Sequence, residues 1–88
     1  MQVQNSEIAE KFNHLADLLE IEGANPFRIK AYRNAARTLM GSSKSITDLV
    51  RENRDLMELP GIGKDLASKI REVVETGHLS LLDQIEKH

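Results

Sequence analysis

Apolar residues recur every three or four positions along most of the chain, and glycine or proline stands at the edges of the longest runs. A period near 3.6 builds helices, and breakers at the edges keep them short. Asn5 or Ser6 stands where a first helix needs its cap, ahead of Ile8, Phe12, Leu15, Leu18 and Leu19, and Gly23 closes it. Asn25 then Pro26 is a cap followed by proline at the first helical position; this second helix runs to about Met40, with Gly41 as its stop. Ser42, Ser43 and Lys44 read as a polar loop. Ser45 starts a third helix with Ile46, Leu49 and Val50, and Asp48 supplies the acid of a shortened capping box. Asp55 to Glu58 adds a short turn. Leu66, Ile70, Val73 and Val74 mark a helix from Lys64 to Gly77, and Ser80 caps a last one carrying Leu81, Leu82 and Ile85. With two Phe, one Tyr and no Trp, and no alternating segment of useful length, strand signals are weak. The expectation is an all-α compact bundle of roughly four to six short helices. Residues 1–88 then form a single domain, with no repeat, low-complexity tract or dividing linker.

A chain of 88 residues, 40% hydrophobic, supports one small core. It has no cysteine, so disulfides and thiolate zinc sites are excluded and a reducing compartment fits. Glu7, Glu10 and Lys11 interrupt any signal-like run, and no stretch approaches the roughly 20 apolar residues that span a bilayer. The expected location is cytoplasmic. A net charge of -2 argues against a generally basic nucleic-acid coat. The distribution is more specific: Arg28, Lys30, Arg33, Arg37 and Lys44 fall between Glu22 and Asp48 with no acid among them. A local basic patch suits a directional anion contact, because salt screens distant charge beyond about 10 Å. The alternative is a solvated helix face. His14, His78 and His88 are scattered, without metal-ligand spacing.

The stretch "ELPGIGKDLASKI", from Glu58 to Ile70, carries the most chemistry. Pro60 cannot continue the preceding helix. Gly61 and Gly63 permit positive φ and leave the backbone uncovered. Ile62, between them, points inward and pins the turn. The next helix presents free N–H groups and the positive end of its dipole at the hairpin, which is an anion site. A plain tight turn would need only the glycines. The order hydrophobic-Pro-Gly-hydrophobic-Gly, then Lys64 and an amphipathic helix, resembles a helix-hairpin-helix motif, a non-sequence-specific binder of the DNA backbone.

"NPFRIKAYRNAARTL", from Asn25 to Leu39, and "LPGIGKDLASKIREVVETGHL", from Leu59 to Leu79, together resemble the N-terminal domain of family X DNA polymerases, especially the bacterial type. The similarity covers nearly the whole chain. It implies a four-helix core with the hairpin packed into it. It also implies binding of gapped, nicked or 5′-phosphorylated DNA. In several members the domain is a 5′-deoxyribose-phosphate lyase: a lysine attacks the sugar aldehyde, a Schiff base forms and β-elimination follows. Position by position, the resemblance places that lysine at Lys69, the pocket aromatic at Tyr32 and a phosphate contact at Arg28. Leu59, Gly61, Ile62, Gly63, Lys64 and Ser68 complete the implied DNA-binding set. It further implies a monovalent cation, Na or K, on the carbonyls of Met57, Leu59 and Ile62, and a polymerase catalytic domain in the parent chain. Asp65, Leu81, Phe27 and Ser68 stand where the vertebrate pattern has a lysine, a basic residue, a histidine and an acid.

Helical geometry sorts the second helix. At about 100° per residue, Phe27, Ile29, Ala31, Tyr32, Ala35, Ala36 and Leu39 share one broad face, with Lys30, Arg33 and Arg37 opposite. Arg28 lies on the apolar side, so it needs a partner: a bound phosphate, or an acid such as Glu22. Tyr32 reads either as core or as a pocket-edge contact. Lys69 lies beside the apolar stripe of its helix and reads either as a phosphate contact without chemistry or as a Schiff-base nucleophile, with Asp65 one turn earlier stabilising its ammonium. Sequence-independent DNA binding is the main expectation. Lyase chemistry at Lys69 is one alternative, and a helical protein-interaction module is the other. The chain has no room for a polymerase palm.

Overall fold

The computed structural model describes residues 3–87. Five helices follow in order: α1 (Asn5–Ile21), α2 (Pro26–Gly41), α3 (Ile46–Arg51), α4 (Lys64–Thr76) and α5 (Ser80–Glu86), with a single 3₁₀ turn at Leu56–Glu58 before α4. The all-α expectation holds. No helix among the described residues is long and apolar enough to cross a membrane.

α1 and α2 form the main packed pair, and α4 meets α1, α3 and the 3₁₀ turn. α1 buries Ile8, Phe12, Leu15 and Leu19 in one stripe. α2 answers with Tyr32, Ala35, Ala36 and Leu39. Ala9, Ala16, Ala35 and Ala36 are all buried. These small side chains let the two backbones approach and lose almost no rotamer entropy on burial. Ile46, Leu56, Ile62, Leu66, Ile70, Val73, Leu79 and Leu82 join the same cluster from the later elements. Each large side chain buried there contributes about 1.5–3 kcal/mol. Phe27 is the exception to the expected apolar face: it is 83% exposed in the first turn of α2.

The ends of the helices follow local rules where nothing else competes. Asn25 accepts from the Phe27 N–H at 2.8 Å, and Ser45 accepts from the Asp48 N–H at 3.3 Å, as expected. α1 ends in a Schellman arrangement, with Gly23 at φ +74° and the Ala24 N–H donating to the Leu19 carbonyl at 2.9 Å. Asn53 serves α3 in the same way at φ +57°. Gly41, expected as a stop, is instead the last residue of α2, and Ser42 caps it.

Two expected caps are displaced. The residue before α1 is Gln4, whose backbone N–H donates to Glu7 at 3.1 Å. Asn5 instead bridges to the start of α3: its carbonyl oxygen accepts from the Ile46 N–H at 2.8 Å and its amide donates to the Lys44 carbonyl at 2.9 Å. Leu79, not Ser80, precedes α5. The Ser80 N–H and hydroxyl both donate to the Glu72 carboxylate on α4. A carboxylate is the stronger acceptor, so Ser80 serves the α4–α5 junction rather than its own helix.

Candidate nucleic-acid interface

The hairpin begins at the 3₁₀ turn, which Asp55 caps by accepting from the Met57 N–H at 2.9 Å. Leu59 is extended, the conformation required before proline. The Ile62 N–H then donates to the Leu59 carbonyl at 3.1 Å, closing Leu59-Pro60-Gly61-Ile62 as a β-turn. Proline at its second position and Gly61 at φ +75° in its third give it type II character. An L side chain at Gly61 would be strained; here glycine serves geometry. Gly63 differs from the expectation. Its φ is -90°, which any residue adopts, so positive φ is used at Gly61 alone of the pair. A Cβ built on Gly63 meets nothing within 4 Å. Neither backbone angle nor internal packing requires glycine there; the space in front of it is open. Ile62 points inward as expected and is 4% exposed.

α4 starts directly behind this opening. Its first helical bond is the Ala67 N–H to the Gly63 carbonyl at 2.9 Å. No side chain caps it, whereas α2, α3 and the 3₁₀ turn are each capped by a side-chain oxygen. Among the described residues, the N–H groups of Gly63, Lys64, Asp65 and Leu66 have no protein acceptor. They form a cluster of parallel donors at the positive end of a 13-residue helix. Lys64 and Ser68 are exposed beside them. Lys69 is half-buried along its stem, 18% exposed, with Nζ 2.8 Å from the Asp65 carboxylate, itself 75% exposed.

Arg28 and Tyr32 sit on α2. Arg28 is exposed, and its guanidinium lies over the Tyr32 ring, 5.8 Å from the centroid. Among the described residues it forms no ion pair with Glu22 or any other acid, so the expected internal partner is an aromatic face instead. The Tyr32 ring is 3% exposed and stacks on Phe12 at 6.1 Å and 12°. Tyr32 is therefore a core residue, with Arg28 lying over its ring. The basic stretch also divides. Arg33 donates to Asp17 at 2.9 Å and Glu20 at 3.1 Å on α1. Those hydrogen bonds, Asp17 first, raise its pKa above the ordinary guanidinium value. Arg33 is thus a tie between helices and not a free cation. Lys30, Arg37 and Lys44 are exposed and form no ion pair among the described residues.

The hairpin residues, Lys64, Ser68 and Lys69 thus fall on one continuous segment. Arg28 and Tyr32 fall on another helix, joined to the hairpin by a hydrogen bond from Thr38 to the Pro60 carbonyl at 2.9 Å. The sequence did not single out Phe27 or Thr38 as functional. Phe27 shares the apolar side of a helical wheel; its position at the second residue of α2, before the core begins, is the signal that places it outside. His14 and His78 stand 3.4 and 3.9 Å from Glu86 and Asp83, and His88 lies outside the described residues. Among the described residues no group of three or more His, Cys, Asp or Glu could hold a metal ion.

The chain is similar to known proteins in a consistent way. A family model described as "Helix-hairpin-helix domain" matches residues 3–79. The chain is 32% identical over 85 residues to "DNA polymerase/3'-5' exonuclease PolX" of Bacillus subtilis (strain 168), covering 97% of this chain and 14% of that protein. It is 33% identical over 81 residues to "DNA polymerase lambda" of Rattus norvegicus, covering 92% of this chain and 13% of that protein. It therefore spans about one seventh of the length of these relatives. Both are family X polymerases, so the resemblance read from the sequence holds. With a glycine-lined turn, a helix whose first donors are uncapped, and a family match over nearly all its residues, this chain belongs to the helix-hairpin-helix domain family.

Proposed function

We propose that the chain binds the sugar-phosphate backbone of DNA without reading base sequence, and that it prefers gaps, nicks or 5′-phosphorylated ends. One observation carries the reading: the unpaired donors of Gly63, Lys64, Asp65 and Leu66 open onto a position where glycine is needed by nothing inside the fold. A phosphate seated there accepts two or more N–H bonds and meets the helix dipole, with Lys64 adding a point charge. Backbone donors carry no base information, so the contact positions without specifying. The polymerase names of the relatives agree with DNA as the ligand class.

Arg28 supplies the preference for an end. Its guanidinium lies over Tyr32, is exposed and has no acidic partner among the described residues, which leaves its donors available for a bidentate grip on a terminal phosphate. Phe27, exposed beside it, offers a flat apolar face to an unstacked base at a gap. The carbonyls of Met57, Leu59 and Ile62 would be the ones to hold a monovalent cation. The Leu59 carbonyl spends one lone pair on the turn bond, and the other two accept no turn or loop bond among the described residues. A Na or K ion there would brace the hairpin; the N–H groups do the phosphate binding. A fluorescence titration tests the reading. Binding should be tighter to a gap bearing a 5′-phosphate than to the same gap without one. Equal affinity removes the end preference, and no binding to any DNA sinks the proposal.

The alternative of lyase chemistry needs Lys69 Nζ as a nucleophile, and the amine must first leave Asp65. Borohydride trapping on an incised abasic substrate decides it: no Lys69-dependent adduct is expected. A protein-interaction module would give no cluster of DNA-induced shifts at the hairpin.

A further inference from the structure

The hydrogen bond from Thr38 to the hairpin has a specific geometric consequence. We infer that Thr38 is a positioning residue for the backbone-binding hairpin: its hydroxyl latches the Pro60–Gly61 peptide in the orientation that turns the Gly61 N–H outward. The inference rests on the proposed backbone binding for its functional meaning, but its structural half stands independently.

In a trans peptide the carbonyl and the N–H point in opposite directions. Thr38 Oγ1 donates to the Pro60 carbonyl at 2.9 Å, so that carbonyl is turned toward α2. The N–H of the same peptide belongs to Gly61 and must point away from α2. Among the described residues it has no protein acceptor. This central peptide is also what separates the two common turns. Type II has positive φ at its third position; rotating the peptide by about half a turn gives type I, with negative φ there. Gly61 is at φ +75°, but glycine adopts both states readily. The turn bond from Ile62 to Leu59 is compatible with either turn, so it does not choose between them. The Thr38 hydroxyl does choose, because only one orientation offers it the carbonyl.

The latch also fixes a distance. Thr38 and Arg28 lie on the same helix, ten residues apart, which is about 15 Å along the axis. That length corresponds to roughly four to five nucleotides of one strand. The hydrogen bond thereby ties the hairpin to the helix that carries Arg28.

The test compares T38V, which keeps the shape and loses the hydroxyl, with T38S, which keeps the hydroxyl; T38A stands in should the valine variant fail to fold by circular dichroism. The first readout needs no DNA: the nuclear Overhauser effect between Pro60 Hα and the Gly61 N–H, strong in a type II turn and weak in type I. T38V should weaken it and T38S should retain it. The second is affinity for gapped DNA, expected to fall about fivefold in T38V and to return in T38S. An unchanged Overhauser effect in T38V overturns the latch. A weakened effect with unchanged affinity overturns its role in binding. Failure of the wild-type chain to bind DNA would instead overturn the proposed function, while the Overhauser comparison still decides the latch.

Discussion

Asp65 does two opposed things within one turn of helix. It stands in the first turn of α4, where a negative charge suits the dipole, and it holds Lys69 at 2.8 Å in an i,i+4 pair of the favourable order. It also places a negative charge beside the donors proposed to receive a phosphate. Asp65→Asn should therefore cost about 0.5 kcal/mol in urea denaturation and still bind DNA a few times more tightly. Changes of the same sign in both measurements would contradict the assignment. Tyr32 makes no such compromise, since its ring is packed on Phe12 and carries Arg28. Tyr32→Ala should destabilise the fold by about 3–5 kcal/mol, and Tyr32→Phe by under about 1 kcal/mol, since the phenyl body does the packing. The sequence placed Arg28 on the apolar side and demanded a partner for it. It did not give the partner, because a helical wheel carries no information about how close two side chains one turn apart come.

At the scale of elements, the two hairpin glycines separate stability from binding. Gly61→Ala forces an L residue to φ +75° and should cost about 1–2 kcal/mol. Gly63→Ala adds a Cβ into open space at an ordinary φ, so thermal stability should change by under about 0.5 kcal/mol. Its DNA affinity should nevertheless fall about tenfold, as the methyl group occupies the path of the phosphate and charge-assisted bonds are lost. Loss of stability without loss of affinity would reverse the argument. Helix number and order are legible because the apolar periods agree with a side-chain cap at the start of α2 and α3 and with a glycine stop after α1 and α4. The misplaced caps at α1 and α5 share a cause. Asn5 and Ser80 look like caps locally, but their side chains are taken by Lys44, Ile46 and Glu72, partners that only the folded chain brings near. The Pro-Gly-Ile-Gly order points to the uncapped start of α4; the type II turn and its Thr38 contact arise only where the folded chain brings α2 to the hairpin.

For the whole molecule, net charge and local charge point to different expectations. The chain carries -2 overall, and Arg33 is committed to α1, so the basic stretch is one cation short of its formal charge. Binding that relies on backbone N–H groups and a handful of side chains should neutralise only about three phosphates. The salt slope of log K should then be near -3, gentler than for a densely basic protein of similar size. The central claim is that the unpaired donors at the start of α4 receive the DNA backbone. The most direct measurement is an amide chemical-shift titration of the isotope-labelled chain with gapped, 5′-phosphorylated DNA. The account predicts that the largest shifts fall on Gly61, Gly63, Lys64, Asp65 and Leu66, with a second group at Arg28. Shifts centred instead on the Lys30 and Arg37 face of α2, or none at the hairpin, would contradict it.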